Sequence, residues 1–244
     1  MLLTSRWSRG ASVTAGPDGF RLAIPASDDS TYCLAQLDNY SGLPRRLYPT
    51  RPHVTLELRA RASSASIHGT WGFGFWNSPY GFSLGQGGGK FSLPALPNAA
   101  WFFHASPENH LSFCDKPGNG FLAQSFRSPA FDLRLFLAGL LLPFSRRAAR
   151  RQLSRVIREE GERVQADPTG WSLYRLEWGP TRVTYDVDHT RVMETPLSPH
   201  PPLGVVIWID NQFAAFTPEG KIAAGVLANA QPAWIEIADL RLTV

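Results

Sequence analysis

A chain of 244 residues with a 43% hydrophobic share and eight tryptophans has material for a sizeable core, and a charged share of only 18% excludes a disordered polyampholyte. The net charge of +4 comes almost wholly from arginine, since Lys90, Lys116 and Lys221 are the three lysines, and much of it sits in one segment; this is a local patch, and no nucleic-acid partner is expected. Two cysteines without CxxC spacing give no metal or redox motif, so neither metal nor cofactor is expected, and the first residues lack the apolar run of a secretory signal, which makes a cytoplasmic setting the expectation.

Strand signals dominate from the N-terminal third onward. Residues 32–38 read as a strand from which Gln36 and Asp38 project at an edge. Residues 54–62 alternate apolar with polar, placing Val54, Leu56, Leu58 and Ala60 on a buried face. In 71–77, Gly72, Gly74 and Trp76 share one side, while Trp71, Phe73, Phe75 and Asn77 share the other. In 99–105, Ala100, Phe102 and His104 lie opposite Trp101 and Phe103. A polar loop from Pro107 to His110 follows.

Residues 131–164 break the pattern and read as helix. The segment is Leu-rich first and then carries Arg146, Arg147, Arg150, Arg151, Arg155 and Arg158 around a narrow stripe of Leu153, Val156 and Ile157. Pro143 divides it. The apolar stretch 133–144 is interrupted by Arg134 and Pro143 and is too short to span a bilayer. After Asp167-Pro168 the strands resume: 173–178 and 182–188 form a hairpin, and a turn at Asp188-His189-Thr190 leads to a third strand. Residues 203–209 are apolar on both faces, as an inner strand must be. The chain ends in two more alternating runs, 234–237 and 240–244. Pro/Gly clusters, among them residues 85–89 and 199–202, separate these runs. The reading is one all-β domain over residues 1–244, a two-sheet antiparallel β-sandwich or jelly roll, with a helical insertion at about 131–164.

The hairpin Trp171-Ser-Leu-Tyr-Arg-Leu-Glu-Trp-Gly-Pro-Thr-Arg-Val-Thr-Tyr-Asp-Val-Asp-His189 resembles the Y-x-x-x-W…[FYW]-x-v-D-G hairpin of glycoside hydrolase family 16 and its concanavalin A-like relatives. Tyr174, Trp178, Tyr185 and Asp188 fill those positions, with His189 in place of glycine. Upstream, Gly69-Thr-Trp-Gly-Phe-Gly-Phe-Trp76 is similar to the family's G-x-W-P-A-x-W strand. Downstream, residues 202–211 stand where the family has an inner concave strand. The resemblance implies a sandwich with a ligand groove on its concave face. It also implies an E-x-D-x-E strand after the Trp motif, because retaining glycosidases need two carboxyl groups about 5–5.5 Å apart. Residues 99–105 stand there and contain no acid, so the family's hydrolytic residues do not carry over.

Within this frame the candidate catalytic residues are His104, the titratable group on that strand; Asp210, an acid at the end of a buried apolar strand; and Glu108 in the loop beyond. Glu108 and His110 stand near the expected groove mouth. Candidate ligand-binding residues are Trp71, Trp76, Asn77, Trp101, Phe102, Trp208 and Asn211, with Gln212 placed to orient a ligand. Aromatic density with few charges points to a small, mainly apolar ligand, bound and isomerised or cyclised without hydrolysis. The alternatives are a carbohydrate-binding module and a glycosidase-like enzyme with relocated acids, Glu108 with Asp210. The helical insertion is expected to cover the body or the groove, or to make peripheral contact with an anionic membrane.

Overall fold

Period-two alternation becomes burial in the computed structural model, which describes residues 2–8, 10–79, 95–114, 116–130 and 143–244. In chain order the strands are β1 (Thr4–Trp7), β2 (Ser12–Ala15), β3 (Gly19–Ile24), β4 (Leu34–Asp38), β5 (Val54–Ala62), β6 (Thr70–Trp76), β7 (Ala99–Ala105) and β8 (Gly120–Arg127). A helix, α1 (Arg146–Val156), precedes β9 (Arg158–Arg163), β10 (Ser172–Trp178), β11 (Val183–Val187), β12 (Thr190–Thr195), β13 (Gly204–Asp210), β14 (Gln212–Phe216), β15 (Ile222–Val226) and β16 (Ala233–Thr243). Two seven-stranded antiparallel sheets result, in the orders β1-β4-β13-β6-β7-β8-β9 and β12-β11-β10-β5-β16-β3-β2, with β14 and β15 as a separate hairpin. The protein is an antiparallel β-sandwich.

The second sheet is amphipathic because β5 and β10 alternate, whereas β6, β7 and β13 of the first are buried on both faces. Val54, Leu56, Leu58 and Ala60 of β5 are all at most 2% exposed and face Trp71, Phe73 and Phe75 of β6 across the interior. Burying one such aliphatic or aromatic side chain contributes roughly 1.5–3 kcal/mol, so this single layer of contact dominates stability. The aromatic residues that carry the family resemblance belong to it. Tyr174 packs edge-on against Phe73 and Phe102, and the Tyr185 hydroxyl donates to Gln124 O at 2.8 Å. Trp178 packs on Phe75, and its indole N–H donates to Ser198 Oγ at 3.0 Å. The β11–β12 turn places Asp188 and His189 at φ 47° and 64°, the left-handed conformation that glycine adopts most readily.

Helix α1 is shorter than the expected insertion. Ser145 caps its N-terminus, accepting from Ala148 N at 3.3 Å, and it ends at Val156. Residues 158–163, expected as helix, instead pair with β8 as the edge strand of the first sheet. The reason is alternation hidden among charges: Glu159 and Gly161 turn inward while Arg158, Glu162 and Arg163 stay in solvent. The expected Leu-rich part, 131–142, and the glycine cluster 85–89 lie outside the described residues. The two C-terminal runs form one strand, β16, with a register irregularity between Ala238 and Arg241 and Asp239 at φ 52°. Cys33 and Cys114 form no disulfide. Among the described residues no helix is long and apolar enough to cross a membrane.

Candidate functional site

The outer face of the first sheet is the one that Gly72, Gly74 and Trp76 share. Register carries that face across the neighbours: Gly74 stands opposite Trp101 and Val206, Gly72 opposite Phe103 and Trp208, Thr70 opposite Ala105 and Asp210, and Trp76 opposite Ala99 and Gly204. Trp76, Trp101, Trp208 and Phe103 therefore rise from four adjacent positions on one surface. Trp76 and Trp208 stack in parallel at 5.9 Å, and Trp101 tilts against both, at 5.9 and 5.6 Å.

The glycines make this possible. A Cβ on Gly72 would lie 2.4 Å from Phe102 O and 3.0 Å from the Trp208 ring, so the space they leave is filled by a tryptophan from the next strand. Gly72→Ala is expected to lower stability by about 2 kcal/mol by forcing β6 from β7, a loss that denaturant unfolding would measure; no loss would reject this packing.

These rings form the floor of a cavity of about 440 Å³. Its far wall is built by the hairpin β14–β15, through Phe213, Ala214 and Ala224, and by the loop after β7, through Asn109, Leu111 and Phe113. Asn109 ties the two together: it is buried, its Oδ1 accepts from Ala214 N at 3.0 Å, and its amide donates to Ser106 Oγ at 3.2 Å. All three tryptophan N–H groups are spent within the protein: Trp76 donates to Tyr40 OH at 2.7 Å, Trp101 to Gln124 Oε1 at 3.2 Å and Trp208 to Thr70 Oγ1 at 3.0 Å. What the indoles offer a ligand is apolar surface.

One end of the cavity is polar. Thr70 Oγ1, which accepts from Trp208, donates to Asp210 Oδ1 at 2.7 Å, and Gln212 N donates to the same oxygen at 3.3 Å. Burial pushes the Asp210 carboxyl up to about 7, against the opposing pull of those two donors. Tyr32 and Arg6 line the same cavity. The Tyr32 phenol is held well above its ordinary pKa by burial and by the Asp210 charge, so its hydroxyl keeps its proton.

The expected site residues divide between this cavity and the rest of the fold. Trp76, Trp101, Trp208, Asp210 and Gln212 line it. Trp71, Phe102 and His104 do not, because they lie on the opposite face of the sheet, in the inter-sheet region. His104 is 5% exposed, stacks on Trp71 at 5.5 Å, and leaves Nδ1 without a partner among the described residues. Burial lowers its pKa to about 4, so it is neutral under ordinary conditions and has no path to the cavity. Asn77 turns to the segment before β7, donating to Leu96 O at 2.8 Å and accepting from Asn98 N at 3.1 Å. Asn211 is fully buried and saturated, accepting from Cys33 N and donating to Thr31 O, Leu227 O and Ser27 Oγ. Glu108 is exposed in its loop, where a hydrogen bond from Ser106 holds its carboxyl below the usual range.

The structure adds Arg6, Tyr32, Tyr40, Thr70, Asn109 and Phe103 as cavity residues. Among the described residues, Asp210 is the one carboxylate lining the cavity, and no group of three or more His, Cys, Asp or Glu side chains is gathered to hold a metal ion.

No family model matches the sequence, and no curated protein sequence matches it. Similar solved structures do exist. A glycoside hydrolase family 16 endo-glucanase from Bacteroides ovatus, 9% identical, is covered over 94% of its length by 99% of this chain at a TM-score of 0.49. The carbohydrate recognition domain of Emp46p, 15% identical, is covered over 87% by 98% of this chain at 0.47. A sialidase, 8% identical, is covered over only 17% of its length, by 99% of this chain, at 0.46. The likeness is one of fold. On its cavity-side face β7 carries Ala99, Trp101, Phe103 and Ala105, of which Trp101 and Phe103 line the cavity, and none can serve as nucleophile or acid in glycoside hydrolysis.

Proposed function

We propose that the protein binds a small, mainly apolar ligand in the aromatic cavity and that Asp210 moves a proton on it, in an isomerisation or cyclisation that needs no second carboxylate. The observation that carries this reading is the cavity of about 440 Å³ floored by indoles whose N–H groups are all engaged elsewhere, with the buried Asp210 carboxyl at one end. A pocket of that size and character suits a small organic molecule. A carboxyl group with a pKa near 7 exists in both forms at neutral pH, so it can give a proton to one atom and recover it from another. Proximity and shape supply the rest of such a reaction.

Intrinsic tryptophan fluorescence tests the binding step, since apolar ligands should quench it at low micromolar concentration. Trp76→Leu is expected to weaken that binding about tenfold, by removing one stacking face, with little change in melting temperature because Trp76 is only partly buried. Silence across a broad apolar library would reject the reading.

A second reading has one observation in its favour. The parallel Trp76–Trp208 pair is the kind of platform on which a pyranose face stacks, and saccharide binding on it is separated from the first reading by titration with gluco-oligosaccharides. The engaged indole N–H groups favour the apolar ligand, because a sugar leaves many hydroxyls to satisfy.

A further inference from the structure

Donors and acceptors at the polar end of the cavity do not balance. Arg6 projects from β1 beside Gln36, lines the cavity, and makes no ion pair or hydrogen bond with the described residues. The nearest carboxylate on the same face of β4, Asp38, is already saturated: it accepts from Gln36 Nε2 at 2.8 Å, Tyr40 N at 3.0 Å, Ser41 N at 2.6 Å and Ser41 Oγ at 2.8 Å. Gln36 spends its amide on Asp38 and on Tyr40 OH at 3.2 Å. Further in, Gln212 Nε2 is buried without a partner among the described residues. Tyr32 adds a hydroxyl. Asp210, the carboxyl at this end, has Oδ1 occupied by Thr70 Oγ1 and Gln212 N, so the donors set beside it, Arg6, Tyr32 and Gln212 Nε2, still include one full positive charge.

We infer that the ligand ends in a singly charged carboxylate, received by the Arg6 guanidinium with Tyr32 and Gln212 beside it, while its carbon skeleton lies on the tryptophans. The inference rests on the proposed apolar-ligand reading and gives that ligand a chemical class, an amphiphilic monocarboxylic acid. A guanidinium pairs with a carboxylate through two parallel N–H···O bonds, and such charge-assisted bonds are about twice as strong as neutral ones. A buried amide N–H left without an acceptor costs free energy that an incoming oxygen would recover.

The test uses matched pairs with one carbon skeleton: decanoate and 1-decanol, 4-phenylbutyrate and 4-phenylbutanol, 2-naphthoate and 2-naphthalenemethanol, each titrated by tryptophan fluorescence against the wild-type chain and Arg6→Met. In the wild type at least one acid should bind about tenfold or more tightly than its alcohol. Arg6→Met should erase that preference and leave the alcohol's affinity unchanged, with near-ultraviolet circular dichroism confirming an intact fold. Alcohols that bind as tightly as their acids, or a variant that weakens both equally, would overturn the carboxylate while leaving the apolar cavity standing. Failure of every acid and every alcohol to bind would overturn both.

Discussion

Asp210→Asn is expected to stabilise the protein by roughly 4 kcal/mol at pH 8 and to change little at pH 4. The folded-state pKa of Asp210 is about 7 against an ordinary value of 3.8, a difference of about three units at 1.36 kcal/mol each. Between those values the folded chain holds a proton that the unfolded chain has released, so stability falls as pH rises from about 4 to 7 and stays low above 7. Asparagine never ionises, and its Oδ1 can still accept from Thr70 and Gln212, so the variant escapes the loss without orphaning either donor. For a chain of this size the gain corresponds to a melting temperature higher by roughly 10 °C.

His104 contributes the opposite slope. Its folded pKa of about 4 lies below the ordinary 6.5, so the unfolded chain binds the extra proton and stability rises with pH over that interval. In the wild type the two groups nearly cancel between pH 4 and 6.5. Asp210→Asn should expose the histidine's slope, and His104→Leu should expose the aspartate's. Melting curves from pH 4 to 8 for the three proteins check this, and an Asp210→Asn gain independent of pH would show that the carboxyl is not neutral in the folded state. Under the proposed function, this stability cost is what a carboxyl kept in the cavity for proton transfer would carry.

The sandwich was legible in the sequence because β5 and β10 alternate as their burial does, while β6, β7 and β13 are apolar runs buried on both faces. Their side assignment was less accessible. Period two separates Trp101 and Phe103 from Phe102 and His104, yet the decision as to which pair faces the cavity needs register: Trp101 stands opposite Gly74, so it must share the glycines' face. That same rule sends Trp71, a neighbour of Gly72, into the inter-sheet core. The polar end was hidden for another reason. Arg6 sits on a four-residue strand with no apolar face, and it becomes a cavity residue only by pairing with Gln36, thirty positions away. Strand β9 was masked by its arginines and glutamates, which match a solvent-exposed helix as well as an edge strand.

That masked strand carries the residue whose loss should damage the cavity most. Glu159 is 5% exposed; its Oε1 accepts from Ser112 Oγ and from Cys114 N at 3.0 Å, and its Oε2 accepts from Phe113 N at 2.9 Å. The loop is gripped from the other side by Arg150 of α1, which donates to Ser112 O at 2.9 Å and reaches the hairpin through Phe216 O at 2.9 Å. Leu111 and Phe113 of this loop are cavity wall, so the carboxylate on β9 holds the wall against the tryptophan floor. Glu159→Ala removes the acceptor from two backbone N–H groups, at roughly 1–3 kcal/mol each, together with a charge-assisted bond from Ser112, and is expected to cost about 4 kcal/mol. Glu159→Gln is expected to cost about half as much. An amide keeps one acceptor oxygen for Ser112 and Cys114, but its N–H₂ then confronts the Phe113 N–H, donor against donor. Urea unfolding of both variants measures the order, and apolar-probe titration of Glu159→Gln should show affinity falling with the loosened wall. A loss below about 1 kcal/mol for Glu159→Ala would mean that water replaces the carboxylate at no cost, and the wall would then owe its position to Arg150 and the hairpin alone.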